Sequence, residues 1–431
     1  MTAHLALACE SCAVIDRAYS PNPRLRGAPS KHILPLTPYF FSITKGDSMK
    51  VGSRRIIGVV GSLAACLLFV ALANGQAGQG AQAQRTPMAE EVFKKVDILK
   101  GIPVDEFMDT MGMFSAALSL NCIDCHVPES VGSWGKFADE TPLKVTTRRM
   151  LTMVNDINKN NFSGVRSVTC YTCHRGDMRP KILPNLAAQY ATPVEDANEV
   201  VMTNIPSGPT VDQVFDKYIQ ALGGAQRLAA LTSYSAKGTY IGFETEQTIV
   251  PMEIYAKAPS QRAMIVKMAV GDNVRIFDGR TAWIAASDKP LPLYTPTGGN
   301  LEGAKLDGIL MFPAQLKAAF ANWRVSATGI DDKLVRVLQG TNPRQPPVNF
   351  YFDNATGLLV RVLRFADTAV GRVPFQVDYS DYRDVAGVKI PHKWILTWTN
   401  GQATSQLNNV QANAAIDASR FARPAPAPQP K

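Results

Sequence analysis

The sequence predicts a multidomain protein of the α plus β class, in which a small α-helical domain is followed by an antiparallel β-rich domain with packed helices. Three observations predict it. The chain has 431 residues, enough for two or three domains. Residues 103–161 place apolar side chains at helical spacing, interrupted by a Cys-rich motif that recurs after them. From about residue 233 onward, one short run after another alternates at period two.

Composition excludes several classes before any element is considered. A hydrophobic content of 46% rules out wholesale disorder. Only one stretch is apolar and long enough to enter a bilayer, so a multi-span membrane protein is excluded. The formal net charge is +9. No run of five Lys or Arg occurs, so nucleic acid is not an expected partner. Of 45 Lys/Arg and 36 Asp/Glu, residues 1–83 hold eight and three, which leaves 37 bases against 33 acids from Gln84 onward. The basic balance therefore belongs largely to the front of the chain.

That front end reads as an address. Lys50, Arg54 and Arg55 precede an uncharged apolar run from Ile56 to Ala73, and Ala81-Gln82-Ala83 offers an A-x-A cleavage site. Residues 49–83 thus have the layout of a secretory signal peptide. A retained N-terminal anchor is the second reading of the same run. Lipidation at Cys66 is the third, because Leu63-Ala64-Ala65-Cys66 resembles the lipobox of bacterial lipoproteins. All three imply a periplasmic protein, free or held at the membrane. Residues 1–48 are expected to be an extension ahead of a true start at Met49, so the Cys9/Cys12 pair receives no redox reading.

The expected helical domain, 84–181, contains Cys122-Ile123-Asp124-Cys125-His126 and Cys170-Tyr171-Thr172-Cys173-His174. C-x-x-C-H is the attachment pattern of c-type haem. Two thiols one helical turn apart can each form a thioether with a haem vinyl group, and the adjacent His reaches the iron. Zinc bound by the four Cys with His and a pair of disulfides are the rivals, but neither explains a His directly after each second Cys. Two covalently bound c-type haems are therefore expected, on Cys122, Cys125, Cys170 and Cys173, with His126 and His174 as axial ligands.

The sixth iron position falls to Met by counting. Beyond residue 84 the only His are His126, His174 and His392, and His392 reads as a strand residue. Methionines cluster ahead of each motif. After Pro103, Phe107, Met111, Phe114 and Leu118 share a helix face, with Asp105 and Glu106 suited to the first turn. After Pro142, Met150, Met153, Val154 and Ile157 share another. Met111 and Met150 are the expected ligands, with Met108 and Met153 as alternatives. Thioether ligation stabilises ferrous iron and leaves no vacant site. Arg148 and Arg149 could pair with propionates. Trp134 and Phe137 read as core packing near the rings.

The stretch KVTTRRMLTMVNDINKNN, followed by VTCYTCHRGDMRP, closely resembles the cytochrome c subunit family of the photosynthetic reaction centre. The likeness covers about residues 103–181. It is strongest at Arg148-Arg149-Met150, Ile157-Asn158 and Val168 through Gly176. It implies a helix bearing an axial Met, a turn, then C-x-x-C-H, and it places Met150 on the family's axial Met. The first axial Met falls on Met108 or Met111. The family usually carries four haems, and this chain has two motifs and no His between Asn158 and Val168. A diheme relative is implied, with its redox partner, a protein or membrane electron-transfer complex, left open.

A Pro-, Asn- and Thr-rich stretch, 182–209, reads as a linker. A capping box at Thr210 to Gln213 then opens a helix with Val214, Tyr218 and Leu222 on one face, ended by Gly223-Gly224. Strands are expected at SYSAKGTYIG, TIVPMEIYAKAP, RAMIVKMA, NVRIFDG, RTAWIAA, LVRVLQG, VNFYFD, FQVDYSDYRDV, KIPHKWILTWT and SQLNNVQAN. A hairpin is expected at Asp353 to Gly357, and a helical insert from about Leu306 to Phe320. The β-rich domain spans 210–422, and 423–431 reads as a disordered tail. The stretch YSDYRDVAGVKIPHKW loosely resembles lipoprotein-carrier and outer-membrane lipoprotein-sorting domains. That resemblance implies an antiparallel half-barrel curved around helices and a concave face for a lipid or hydrophobic ligand.

Taken together, the reading is an exported diheme c-type cytochrome that carries electrons and has no catalytic turnover of its own. One alternative is a haem enzyme such as a peroxidase with one open iron site. Another is a hydrophobic-ligand binding protein with accessory haems.

Overall fold

The computed structural model describes residues 85–191, 196–200, 202, 208–287 and 289–428. The address expected at 49–83, Cys66 and the 1–48 extension lie outside the described residues. A short helix α1 (Ala89–Val92) leads to α2 (Val104–Leu118), the segment expected to follow Pro103. Ser119 closes α2 in the left-handed conformation. The first motif forms the single turn α3 (Cys122–Cys125), and two 3₁₀ turns, Pro128–Gly132 and Trp134–Ala138, follow. Helix α4 (Pro142–Asn161) starts at Thr141, whose hydroxyl accepts from Lys144 N, with Pro142 at its first position. The second motif forms α5 (Cys170–His174), and α6 (Leu186–Gln189) comes next.

The second half begins with α7 (Val211–Ala221), capped by the Thr210/Gln213 box, and α8 (Ala225–Ala230). Twelve strands then form one antiparallel sheet: β1 (Ser233–Gly242), β2 (Val250–Lys257), β3 (Gln261–Val266), β4 (Asn273–Phe277), β5 (Ala282–Ala285), β6 (Asn322–Ile330), β7 (Lys333–Thr341), β8 (Val348–Asp353), β9 (Leu359–Thr368), β10 (Gly371–Val385), β11 (Val388–Trp398) and β12 (Gly401–Ala412). Their order is β5-β4-β3-β2-β1-β12-β11-β10-β9-β8-β7-β6. The edges β5 and β6 are consecutive in the chain, so their connection, which holds α9 (Gly298–Met311), crosses the whole sheet.

Helix α9 touches β3, β4 and β5 and also β9. In the sheet order β3 and β9 stand six strand spacings apart, roughly 29 Å if flat. A helix is only about 10–12 Å wide. The sheet must therefore curl so that both parts meet the same helix. The main core lies in this curl, with Phe215, Tyr218, Met252, Ile254, Leu316 and Phe350 among its buried side chains.

Two expectations change here. The insert expected from Leu306 to Phe320 is α9 at Gly298–Met311, followed by a 3₁₀ turn at Pro313–Ala319. Gly298, Gly299, Gly303 and Gly308 hide this helix from a propensity reading. At least one of them is there for space: a Cβ on Gly303 would lie 2.3 Å from the Arg364 guanidinium carbon. Strand β6 was not expected, although Trp323, Val325 and Ala327 alternate with Arg324, Ser326 and Thr328 in it. The 353–357 hairpin forms as expected, with Asp353 Oδ1 accepting from Ala355 N and Thr356 N and with Gly357 at φ +78. Within 182–209, Val200 and Met202 pack beside Val335, Val337 and Tyr351, and Asn198 donates to Gln376 at 2.9 Å.

The helical segment sits directly on the sheet. Met113 of α2 and Leu151 of α4 are buried with Ala366, Val370 and Val373 of the β9–β10 hairpin. Asp105 accepts from Thr297 N at 2.6 Å and Oγ1 at 2.8 Å, and Asp109 accepts from Asn300 at 2.7 Å. The Arg166 guanidinium donates to the Thr368 carbonyl.

Candidate haem site

Each C-x-x-C-H motif is a short helical turn with a designed start. Asn121 Oδ1 accepts from Ile123 N and Asp124 N, and the Asp124 carboxylate reaches back to Asn121 N at 2.8 Å. Thr169 and Thr172 cap the second turn reciprocally. Such boxes satisfy the orphan N–H groups of a turn too short to hold itself. Cys122 and Cys125 thereby share one turn, as do Cys170 and Cys173, and none of the four is in a disulfide. Burial pushes the Cys125 and Cys170 thiols above their ordinary values.

Both His rings are fixed by backbone carbonyls. His126 Nδ1 lies 3.1 Å from the Phe137 carbonyl oxygen, and His174 Nδ1 lies 2.9 Å from that of Asp177. A carbonyl only accepts, so Nδ1 carries the proton in each ring and Nε2 keeps its lone pair. That is the tautomer a metal-ligating His needs, with the second nitrogen held by a backbone partner. The His126 pKa is lowered by burial and by the Lys144 charge beside it.

The two motifs are tied together at the end of α2. Gly176 N donates to Ala117 O at 3.0 Å, and Ser119 Oγ donates to Gly176 O at 2.6 Å. Ser119 stands three residues before Cys122, and Gly176 two residues after His174. Chain reach then limits Cys122 and His174 to roughly 25 Å apart. Beside the first motif an aromatic stack runs from Phe107 through Phe93 and Trp134 to Phe137, with ring centroids 5.0, 6.1 and 5.1 Å apart, and Phe137 meets His126 edge-on at 4.8 Å.

The methionines separate by environment. Met113 is buried in the sheet contact and is out of reach for a ligand role. Met108 and Met111 are half-buried, and Met111 shares the helix stripe of Phe107, whose ring joins the stack to His126. Met150 and Met153 are 41% and 45% exposed and project beside the buried stripe of Leu151, Val154 and Asn158. Arg148 is taken by Glu140 at 2.6 Å, and Arg149 is exposed. His392 is buried on β11 with its Nδ1 against Ile390 O.

Do these residues fit a haem? Among the described residues, fourteen of the eighteen exposed large apolar side chains fall between Ile98 and Tyr190. Met150, Met153, Ile123, Val145 and Phe162 are among them, so the segment that carries both motifs exposes far more apolar side chain than the sheet does. Among the described residues no three His, Cys, Asp or Glu side chains stand together as a ready-made metal cage. The donor set, the tautomers and the apolar surface all fit two haems.

Sequence reading missed two residues. Asn158 is buried and spans the loop before the second motif: its Nδ2 donates to Val168 O at 2.7 Å, and its Oδ1 accepts from Ser167 N at 3.0 Å and Val168 N at 2.9 Å. A polar residue on the buried stripe of α4 was the available signal. Lys144 donates to Phe137 O at 2.9 Å and to Asp139 O at 2.7 Å. Nothing in the sequence marks it.

Among the described residues no helix is long and apolar enough to cross a membrane. Residues 68–209 match the family model described as the photosynthetic reaction centre cytochrome C subunit. The cytochrome c subunit of the photosynthetic reaction center from Thermochromatium tepidum is 40% identical over 99 residues, covering 22% of this chain and 23% of that protein. Its counterpart from Rubrivivax gelatinosus is 31% identical over 137 residues, covering 28% and 36%. The chain therefore matches only about a quarter to a third of the length of these relatives. Among solved structures, a LolA superfamily protein from Nitrosomonas europaea is 10% identical with a TM-score of 0.34, covering 49% of this chain and 97% of its own. That likeness is too distant to bear on function, and the fold stands on its strand pairing. What the C-x-x-C-H segment is similar to is thereby established: it resembles the cytochrome c subunits of photosynthetic reaction centres.

Proposed function

We propose that residues 84–181 form an exported electron relay with two c-type haems, one on Cys122 and Cys125 and the other on Cys170 and Cys173. His126 and Met111 ligate one iron, and His174 and Met150 the other, with Met108 and Met153 as the competing thioethers. When bound, the haems supply a reversible one-electron couple at each site. The chain's own residues do the rest. The capped turns present paired thiols, the two backbone carbonyls hold Nε2 toward the iron, and the Phe93–Trp134–Phe137 stack keeps water from the first site.

The single observation that carries this reading is the bond from Ser119 to Gly176, which brings both motifs to the end of one helix. Two redox centres on motifs joined at one helix end would be neighbours in a relay, and a full coordination sphere favours transfer over catalysis. The redox partner is a membrane electron-transfer complex or a soluble protein, and the site is periplasmic. The curled sheet with α7 and α9 against it supports a half-barrel reading for residues 210–422, with 182–209 as the linker.

The test is expression of the full chain in a host that attaches c-type haem, followed by intact mass, spectrum and peroxide challenge. Two covalent haems, both low-spin with a methionine–iron band and inert to peroxide, are expected. A chain without covalent haem overturns the reading, and a high-spin haem that consumes peroxide replaces it with a haem enzyme.

A further inference from the structure

A hairpin tip ordinarily lies in solvent, but the tip of the β9–β10 hairpin is buried. Thr368 pairs with Gly371 across it, leaving Ala369 and Val370 as the turn. Thr368 is fully buried and Val370 is 4% exposed. Thr368 Oγ1 donates to Gly371 O at 2.6 Å, so the turn is braced from within. What covers it is the helical segment that carries the haem motifs.

Three contacts around the second motif end on this tip. Leu151, the residue after Met150 on α4, is buried with Val370 and Val373. The Arg166 guanidinium donates to the Thr368 carbonyl. Thr169, which caps the motif turn α5, stands so close that a Cβ on Gly371 would lie 2.7 Å from its Cγ2 methyl. Asn158 closes the circuit by bonding α4 to Ser167 and Val168. Helix α4 and turn α5 therefore rest on one base. Helix α2 reaches the same base through Met113, but it has a second hold in the bonds of Asp105 to Thr297 and of Asp109 to Asn300.

We propose that the β9–β10 tip is part of the second haem site, with Arg166, Val370 and Gly371 as its positioning residues. The proposal rests on the relay reading, in which Met150 and His174 ligate the same iron. Those two ligands sit on separate elements, α4 and α5, and a ligand pair split in that way keeps its geometry only where both elements are locked by packing and hydrogen bonds. The hairpin supplies that lock, from a carbonyl 202 positions further along the chain than Arg166. The β-rich half is then a working support of the relay and not a separate module.

The experiment compares the full haem-loaded chain with Val370→Asn, a residue that suits the turn itself but spoils the apolar seat of Leu151. The variant should lose up to about half of the methionine–iron band, one haem of two, and show a matching high-spin signal. One potentiometric step should move down and the other stay, and the moving step should be the one that Cys122→Ala/Cys125→Ala retains. The first haem holds because α2 keeps its second anchor. Hydrogen exchange at 166–174 should quicken about tenfold, a readout that needs no haem. Arg166→Gln should give a smaller loss of the same kind, and Arg166→Lys should restore it; if Val370→Asn does not fold, this pair decides. Both haems unmoved, or both moved equally, overturns the proposal and leaves the relay reading standing. A parent chain without covalent haem on Cys170 and Cys173 overturns both.

Discussion

At the first motif, the carbonyl that accepts the His126 Nδ1–H also accepts from the Lys144 ammonium at 2.9 Å. At the second, the carbonyl that accepts the His174 Nδ1–H belongs to Asp177, whose own carboxylate is ion-paired with Lys181 at 2.6 Å and held below its ordinary pKa chiefly by that bond. The sequence pattern is the same, but the ammonium sits on the histidine's own carbonyl at the first motif and on a neighbouring carboxylate at the second. A cation on the shared carbonyl draws away density that would otherwise strengthen Nδ1–H···O, so on the proposed reading His126 would be the poorer donor to an iron. The second motif has a carboxylate close by and no ammonium on its carbonyl. The difference teaches that identical attachment motifs can be tuned by the residue behind the histidine; on the proposed two-haem reading the first site is expected to have the higher potential.

Removing one site is the strongest way to break the comparison. Cys122→Ala with Cys125→Ala should lower the intact mass by one haem and abolish the higher-potential wave, leaving the second site's spectrum in place. Loss of both haems would mean that the motifs do not fold separately. Next in size is ligation. Met111→Ala should turn the first haem high-spin in resonance Raman spectra. Met113→Ala should leave both haems low-spin and lower stability by about 2–5 kcal/mol, because it opens a hole in the α2–hairpin core.

Helix α2 also carries a buried titratable group, Asp109, bonded to Asn300. Burial raises the Asp109 carboxyl from 3.8 to about 7. Its folded pKa lies above its unfolded one, so its contribution to stability is full below about pH 4 and lost as pH rises through 7. Asp109→Asn should flatten the fall in thermal stability between pH 5 and 8, by a few kcal/mol at pH 8. A larger fall in the variant than in the parent would contradict the assignment. Asn158 acts on the second site alone. Asn158→Ala should cost about 2–4 kcal/mol by losing three bonds of a buried amide, with hydrogen exchange rising at 162–168 and the first haem unaffected. The smallest effect sharpens the comparison most: Lys144→Met should lower the first potential by roughly 20–60 mV and leave the second unmoved.

Much of this was legible in the sequence, for identifiable reasons. Helix α2 was readable end to end, because Pro103 starts it and the Phe107/Met111/Leu118 stripe persists until Ser119. The 353–357 hairpin was legible through its turn chemistry. Helix α9 was half-hidden, because its glycines serve close approach to Arg364 and to the Ser260 carbonyl, and only the folded sheet brings those partners near. Strand β6 was legible too, since Trp323, Val325 and Ala327 alternate with Arg324, Ser326 and Thr328, and it was passed over. At the site, Cys and His announce themselves by spacing. Lys144 could not, since its partner is a backbone carbonyl seven residues earlier that any side chain could have carried.

The central claim, two covalent haems in unequal surroundings, is met most directly by a potentiometric titration of the full haem-loaded chain beside its Cys122→Ala/Cys125→Ala variant. The account predicts two one-electron steps in the parent, with the higher step missing from the variant. A single step in the parent, or a variant that retains the higher one, would contradict it.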